Sequence, residues 1–185
     1  MKKTRISMAT VLVIGLLLSM NLCGFAQEAK NNVSDPEFRI KFGILSHRDN
    51  FFGYSGFIVG SDYLFYLENS SFGIAGGLEY ISSAWTTNYL HRDWRDIVMT
   101  LSFLYFPTLT REIYLGMGLE YHHLIQEVTY LYTDRRDIRK DSGLGLHFVI
   151  GFNLGENIFL EGKINSVGIS CANKGGISLQ VGYKF

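Results

Sequence analysis

From Phe38 onward the chain keeps a period of two. Phe38, Ile40, Phe42 and Ile44 alternate with Arg39, Lys41 and Gly43. The last stretch sets Ile177, Leu179, Val181, Tyr183 and Phe185 against Ser178, Gln180, Gly182 and Lys184. Between them, Leu144, Leu146, Phe148, Ile150 and Phe152 alternate with Gly145, His147, Val149, Gly151 and Asn153. Apolar residues at every second position give a strand one apolar face. The same signal recurs near 55–66, 71–84, 96–106, 112–126 and 157–166, less cleanly at 55–66 and 96–106. Eight strands are predicted.

The links between these segments alternate in length. Glu68-Asn69-Ser70, Pro107 to Arg111, and Gly155-Glu156 are short and rich in turn formers. Those near 46–54, 85–95, 127–142 and 167–175 are longer and more polar. This is the layout of an up-and-down barrel with one trimmed and one elaborated end, as transmembrane barrels have. Gly77-Leu78-Glu79-Tyr80 returns as Gly118-Leu119-Glu120-Tyr121, an echo of the repeated hairpin.

Alternation alone does not say which face is outside, because a soluble barrel also has one apolar face, turned inward. The other face decides. It carries Gly43, Gly60, Gly73, Gly77, Gly116, Gly118, Gly145, Gly151 and Gly182, with only Gly76 and Gly162 on the apolar side. Glycine weakens a strand that faces water but fits the interior of a narrow barrel. The same face holds Arg39, Lys41, Lys163 and Lys184 against Asp62, Glu79, Glu120 and Glu161, four of each sign, as burial of charge requires. The reading is therefore a closed barrel with a polar interior and an apolar exterior toward lipid. Eight strands leave a lumen that side chains fill. The charges read as interior salt bridges, with a solute or proton path as the alternative.

Aromatics gather toward both strand ends, as an interfacial girdle requires. Phe38, Tyr63, Phe65, Phe72, Tyr105, Phe106, Tyr114, Phe152, Phe159, Tyr183 and Phe185 fall on the short-turn side. Phe57, Tyr80, Trp85, Trp94, Tyr121 and Tyr130 fall on the other.

Composition narrows the class. The 185 residues carry 17 Lys+Arg and 17 Asp+Glu, are 47% hydrophobic and include two cysteines. Neutrality argues against a nucleic-acid binder, and the apolar fraction excludes disorder. The cysteines form neither a disulfide framework nor a zinc spacing. Lys2, Lys3 and Arg5, an apolar run from Ala9 to Met20, and Gly24-Phe25-Ala26 make residues 1–26 a signal peptide cleaved after Ala26. A lipid anchor on Cys23 is the competing reading. Without those 26 residues the chain has 14 positive against 17 negative charges, net −3. Residues 27–36 read as a flexible periplasmic leader and 37–185 as the barrel.

These features, with the terminal Val181-Gly182-Tyr183-Lys184-Phe185, resemble a small bacterial outer-membrane β-barrel. The style is that of OmpA/OmpX-like barrels and of the outer membrane protein β-barrel domain (porin-family) proteins of Bacteroidetes type. The resemblance covers 37–185 and implies an all-β, eight-stranded antiparallel up-and-down transmembrane barrel in the outer membrane of a Gram-negative cell. Terminal Phe185 with Tyr183 two positions before is similar to the signal read by the barrel-assembly machinery, which the resemblance makes a partner during biogenesis. In the family pattern a glycine stands further back in that strand, where Gln180 stands here. The fold hosts many roles.

Enzymatic chemistry of the lipid A-modifying kind needs Ser, a His base and a carboxylate. The candidates are Ser142, His122, His123, Glu120 and Glu127, and no recognisable motif joins them. His122 and His123, as strand neighbours, point to opposite faces and do not share a metal ion. His147 reads as an interior residue satisfied by a carboxylate. The run Tyr130 to Ser142, with Arg135, Arg136, Arg139 and Lys140, reads as a solvated loop. Its alternative role is contact with lipopolysaccharide phosphates. The expected protein is a monomeric structural, envelope-integrity or surface-interaction barrel, without cofactor and not an enzyme. A narrow pore for small solutes, and then a lipid A-modifying barrel, are the alternatives.

Overall fold

Each alternating segment pairs antiparallel with the next, and the last returns to the first. The computed structural model describes residues 36–47, 55–67, 70–107, 111–133, 135–169, 172–173 and 175–185. The signal peptide and the leader up to residue 35 lie outside the described residues. The strands are β1 (Glu37–His47), β2 (Ser55–Tyr66), β3 (Phe72–Thr86), β4 (Leu90–Tyr105), β5 (Ile113–Tyr130), β6 (Arg136–Asn153), β7 (Ile158–Ile169), the two-residue β8 (Ala172–Asn173) and β9 (Gly176–Lys184). β9 pairs with both β7 and β1, setting Val181 opposite Leu160 on one side and Phe42 on the other. The result is a closed up-and-down barrel of eight long strands, with the short β8 paired to the end of β7.

Burial follows the period of two. Met117 and Leu146 are 56% and 57% exposed on the outer face, whereas Arg39 and Glu120 are 2% and 1% exposed on the inner one. A protein in water hides its apolar side chains and exposes its charges. Here the order is reversed over the whole circumference, which is the pattern of a barrel whose solvent is lipid.

Glycine on the inner face makes room for the bulky side chains beside it. A Cβ at Gly151 would run into the Tyr114 ring, and one at Gly182 into the Phe159 ring. Outward-facing Gly76 and Gly162 meet nothing closer than 3.5 Å. The tight turn after β6 depends on Gly155, whose φ of 142° disfavours any side chain.

Two of the links expected to be long are strand instead. β3 and β4 run on to a connection of only three residues, 87–89, and β5 and β6 to one at 131–135. β5 and β6 have 18 residues each, against the roughly 9–11 that a tilted strand needs to cross a bilayer. The excess, some eight residues, projects about 25 Å along the strand direction as a sheet of β4, β5 and β6. Its outer face leaves the lipid while its inner side still keeps Leu124 and Val128 buried, so polar residues enter the outer positions and the amphipathic alternation that marks the strands below is lost. Polarity there reports height above the lipid, not loop conformation.

The aromatic girdle is also narrower than expected. On the short-turn side Phe38 stacks near Tyr63 and Phe185, and Phe72 near Tyr105, all on outward positions. Phe106, Tyr114 and Phe159 turn inward instead and are at most 1% exposed. Trp94 and Tyr130 share the inner phase of their strands, with Asp96 and His122 respectively. The side chain of Trp85 lies outside the described residues.

Candidate functional site

The lumen is layered. At the short-turn end Leu64, Tyr66, Ala75, Leu104, Phe106, Tyr114 and Val149 pack together. A second apolar cluster, Leu45, Ile58, Ile81 and Val98, packs separately on the inner face. A third set of inner-face side chains is charged.

Arg39 grips Asp62 with both arms of its guanidinium, Nε to Oδ1 at 2.6 Å and Nη2 to Oδ2 at 2.9 Å. Lys41 lies 2.9 Å from Asp62, 3.1 Å from Glu161 and 3.4 Å from Glu79. Lys163 joins Glu79 at 2.5 Å to Glu120 at 3.0 Å. The two Gly-Leu-Glu-Tyr repeats thus deliver equivalent carboxylates, from β3 and β5, to one ammonium on β7. His122 extends the chain, with Nε2 3.0 Å from Glu120 and Nδ1 2.7 Å from Asp96. His147 sits 3.4 Å from Glu120, its other ring nitrogen 2.8 Å from the Ser102 hydroxyl.

Every one of these charges is within contact of an opposite one, the condition for burying ions at tolerable cost. Tyr114 donates to Glu161 at 2.8 Å, and Arg39 lies over the Phe159 ring at 4.9 Å. The cavity left among them measures about 10 Å³, room for one water at most.

Of the eight charges singled out in the sequence, seven meet in this network. Lys184 is also on the inner face but stands apart, 3.9 Å from Glu37 near the short-turn rim. Sequence reasoning passed over Tyr114, Phe159, Ser102, His122 and Asp96 as partners. Their phase was available: Tyr114 and His122 are an even number of residues from Glu120 and Phe159 from Glu161, while Asp96 and Ser102 share the phase of Val98 and Thr100, which stand in register with His122 and Glu120. Tyr183 and Phe185 lie outward at the closing seam, where the Phe185 amide donates to the Phe38 carbonyl at 2.9 Å.

At the opposite rim, Arg136, Arg139 and Lys140 sit on β6, and Arg135 just before it. Arg135 pairs with Asp137 at 3.2 Å and Arg136 with Glu127. His123 Nδ1 is 3.0 Å from the Ser142 hydroxyl on the outer face. Among the described residues no carboxylate orients that imidazole, so the pair lacks the third member of a hydrolytic triad. His122 faces the lumen and takes no part in it.

No family model matches the chain, and no curated protein matches its sequence. Solved structures do match in shape. Ail, the attachment invasion locus protein of Yersinia pestis, has 14% identity over 83% of this chain and 99% of its own, with a TM-score of 0.59. Its backbone has also been determined in a phospholipid bilayer nanodisc. Neisserial surface protein A has 12% identity over 82% and 97%, TM-score 0.54. A major outer membrane protein of Thermus thermophilus has 12% identity over 82% and 100%, TM-score 0.54. At such identities the likeness speaks for architecture: this chain has the fold of the small eight-stranded outer-membrane β-barrels.

Proposed function

We infer that the protein is an integral outer-membrane barrel, exported by its signal peptide, with a closed lumen and a structural, envelope-integrity or surface-interaction role. The observation that carries this is the reversal of polarity: exposed Leu, Ile, Met and Phe all round the outside, and an ion-paired cluster inside with about 10 Å³ of free space among its side chains. Such a body is stable only where its exterior meets hydrocarbon. The closed interior favours a structural or surface role over a pore, because a hydrated solute needs far more room than a single water site. The name of Ail as an attachment protein supports surface contact among these roles.

The mature chain, folded in detergent and reconstituted in a planar bilayer, tests this. The expected result is a heat-modifiable, β-rich species that inserts without steady conductance. A steady open channel would overturn the closed lumen. A chain that stays soluble and monomeric without amphiphile would overturn the membrane reading itself.

A further inference from the structure

The outward residues of β3 to β6 stand in rows set by register, and the highest fully apolar row is Leu78, Met99, Tyr121 and Leu144. His122, next to Tyr121 on β5, turns into the lumen at that height and is 2% exposed. Its ring lies between two carboxylates, with Nδ1 2.7 Å from Asp96 Oδ2 and Nε2 3.0 Å from Glu120 Oε2. A neutral imidazole has one N–H and one lone pair, so it donates to only one of the two. The second contact would then set a lone pair against an oxygen anion, where little water screens the repulsion. With a proton on each nitrogen, the ring donates to both.

The charges of the lumen call for the same proton. Asp62, Glu79, Glu120 and Glu161 are met by three permanent cations, Arg39, Lys41 and Lys163. An imidazolium at His122 is the fourth. Among the described residues it is also the only cation within ion-pair distance of Asp96. His147 is placed differently. Its Nε2 meets the Ser102 hydroxyl, which donates or accepts, while its Nδ1 has no hydrogen-bond partner among the described residues. A neutral ring satisfies that site. The groups around His122 are Asp96 on β4 and Glu120 on β5, then Lys163 on β7, which holds Glu120 and Glu79 of β3, and His147 on β6. On β6 Gly143 stands opposite His122, and Asp141 follows on the same face. Acids outnumber permanent cations in this set.

We propose that His122 is a doubly protonated imidazolium whose proton latches β4 to β5 at the loop-side end of the lumen. The latch goes beyond the membrane role and needs only the folded barrel. When the proton leaves, Asp96 or Glu120 loses its donor, and the four carboxylates of the network face three cations. The tie therefore holds while the ring is charged and fails as pH rises. Nitrogen-15 NMR of the mature barrel, folded in detergent with labelled histidine and assigned through the backbone, reads the ring directly. At about pH 7 both ring nitrogens of His122 carry protons, whereas His147 has one bare nitrogen. One bare nitrogen on His122 overturns the proposal, including the case in which Asp96 or Glu120 holds the proton as an acid. Urea unfolding reads the latch. Between about pH 7 and about pH 9.5 the unfolding constant of the parent rises about tenfold more, or further, than that of His122→Gln. Equal pH dependence in the two overturns the latch. Where His122→Gln does not fold, Asp96→Asn, which removes one of the two carboxylates, is held to the same outcome.

Discussion

Lys163 is the residue on which the interior balance turns, because it alone among the described residues bridges the carboxylates of β3 and β5. Replacing it with methionine leaves Glu79 and Glu120 buried with less compensation, a kind of change that costs about 3–5 kcal/mol. Urea unfolding of K163M in detergent should show a loss of that order. Adding Glu79→Gln and Glu120→Gln should recover a large part of it, because neutral amides need no counterion. A loss that the triple variant does not reduce would mean that Lys163 acts through packing alone. The sign and inward phase of these charges were legible in the sequence. Their partners were not: register across the seam, which brings β7 against β9 and β9 against β1, decides who touches whom. Tyr114 and Phe159 lie near strand ends, where girdle aromatics are expected, yet their phase with Glu120 and Glu161 points them inward.

At the scale of the strand, exposure does not separate lipid from water. Met117 on β5 and Ile138 on β6 are 56% and 50% exposed, both on outward positions. Register separates them: Met117 lies within the apolar rows and Ile138 three rows above the last of them. Met117→Arg should destabilise the reconstituted barrel by about 2–4 kcal/mol, the cost of a cation near the bilayer midplane. Ile138→Arg should change it by less than about 0.5 kcal/mol, as an exposed substitution does. Equilibrium unfolding in vesicles reads both, and equal effects would contradict the assigned heights. The strand count and order were legible because amphipathic alternation is strong wherever one face meets lipid. The extensions of β3 to β6 were not, since above the lipid the outer face has no need to be apolar, and Asp93, Arg95, Glu127 and Lys140 there break the alternation. The free edge of β6 from Arg136 to Gly143 has no β7 partner among the described residues, and its charges suit it to stay unpaired.

The molecule as a whole is a barrel inverted with respect to soluble proteins: ions and small residues inside, hydrocarbon outside. Its stability in that form depends on a low-dielectric surrounding for the outer face, and the residues that balance the interior charge also narrow the space between them to about 10 Å³. Site-directed spin labelling in phospholipid vesicles tests that inversion most directly, with a nitroxide at Met117→Cys on a Cys171→Ser background. Strong collisional relaxation by oxygen, which partitions into lipid, is expected, with almost none by a water-soluble nickel chelate. A label at residue 117 that is open to the chelate and shielded from oxygen would contradict it.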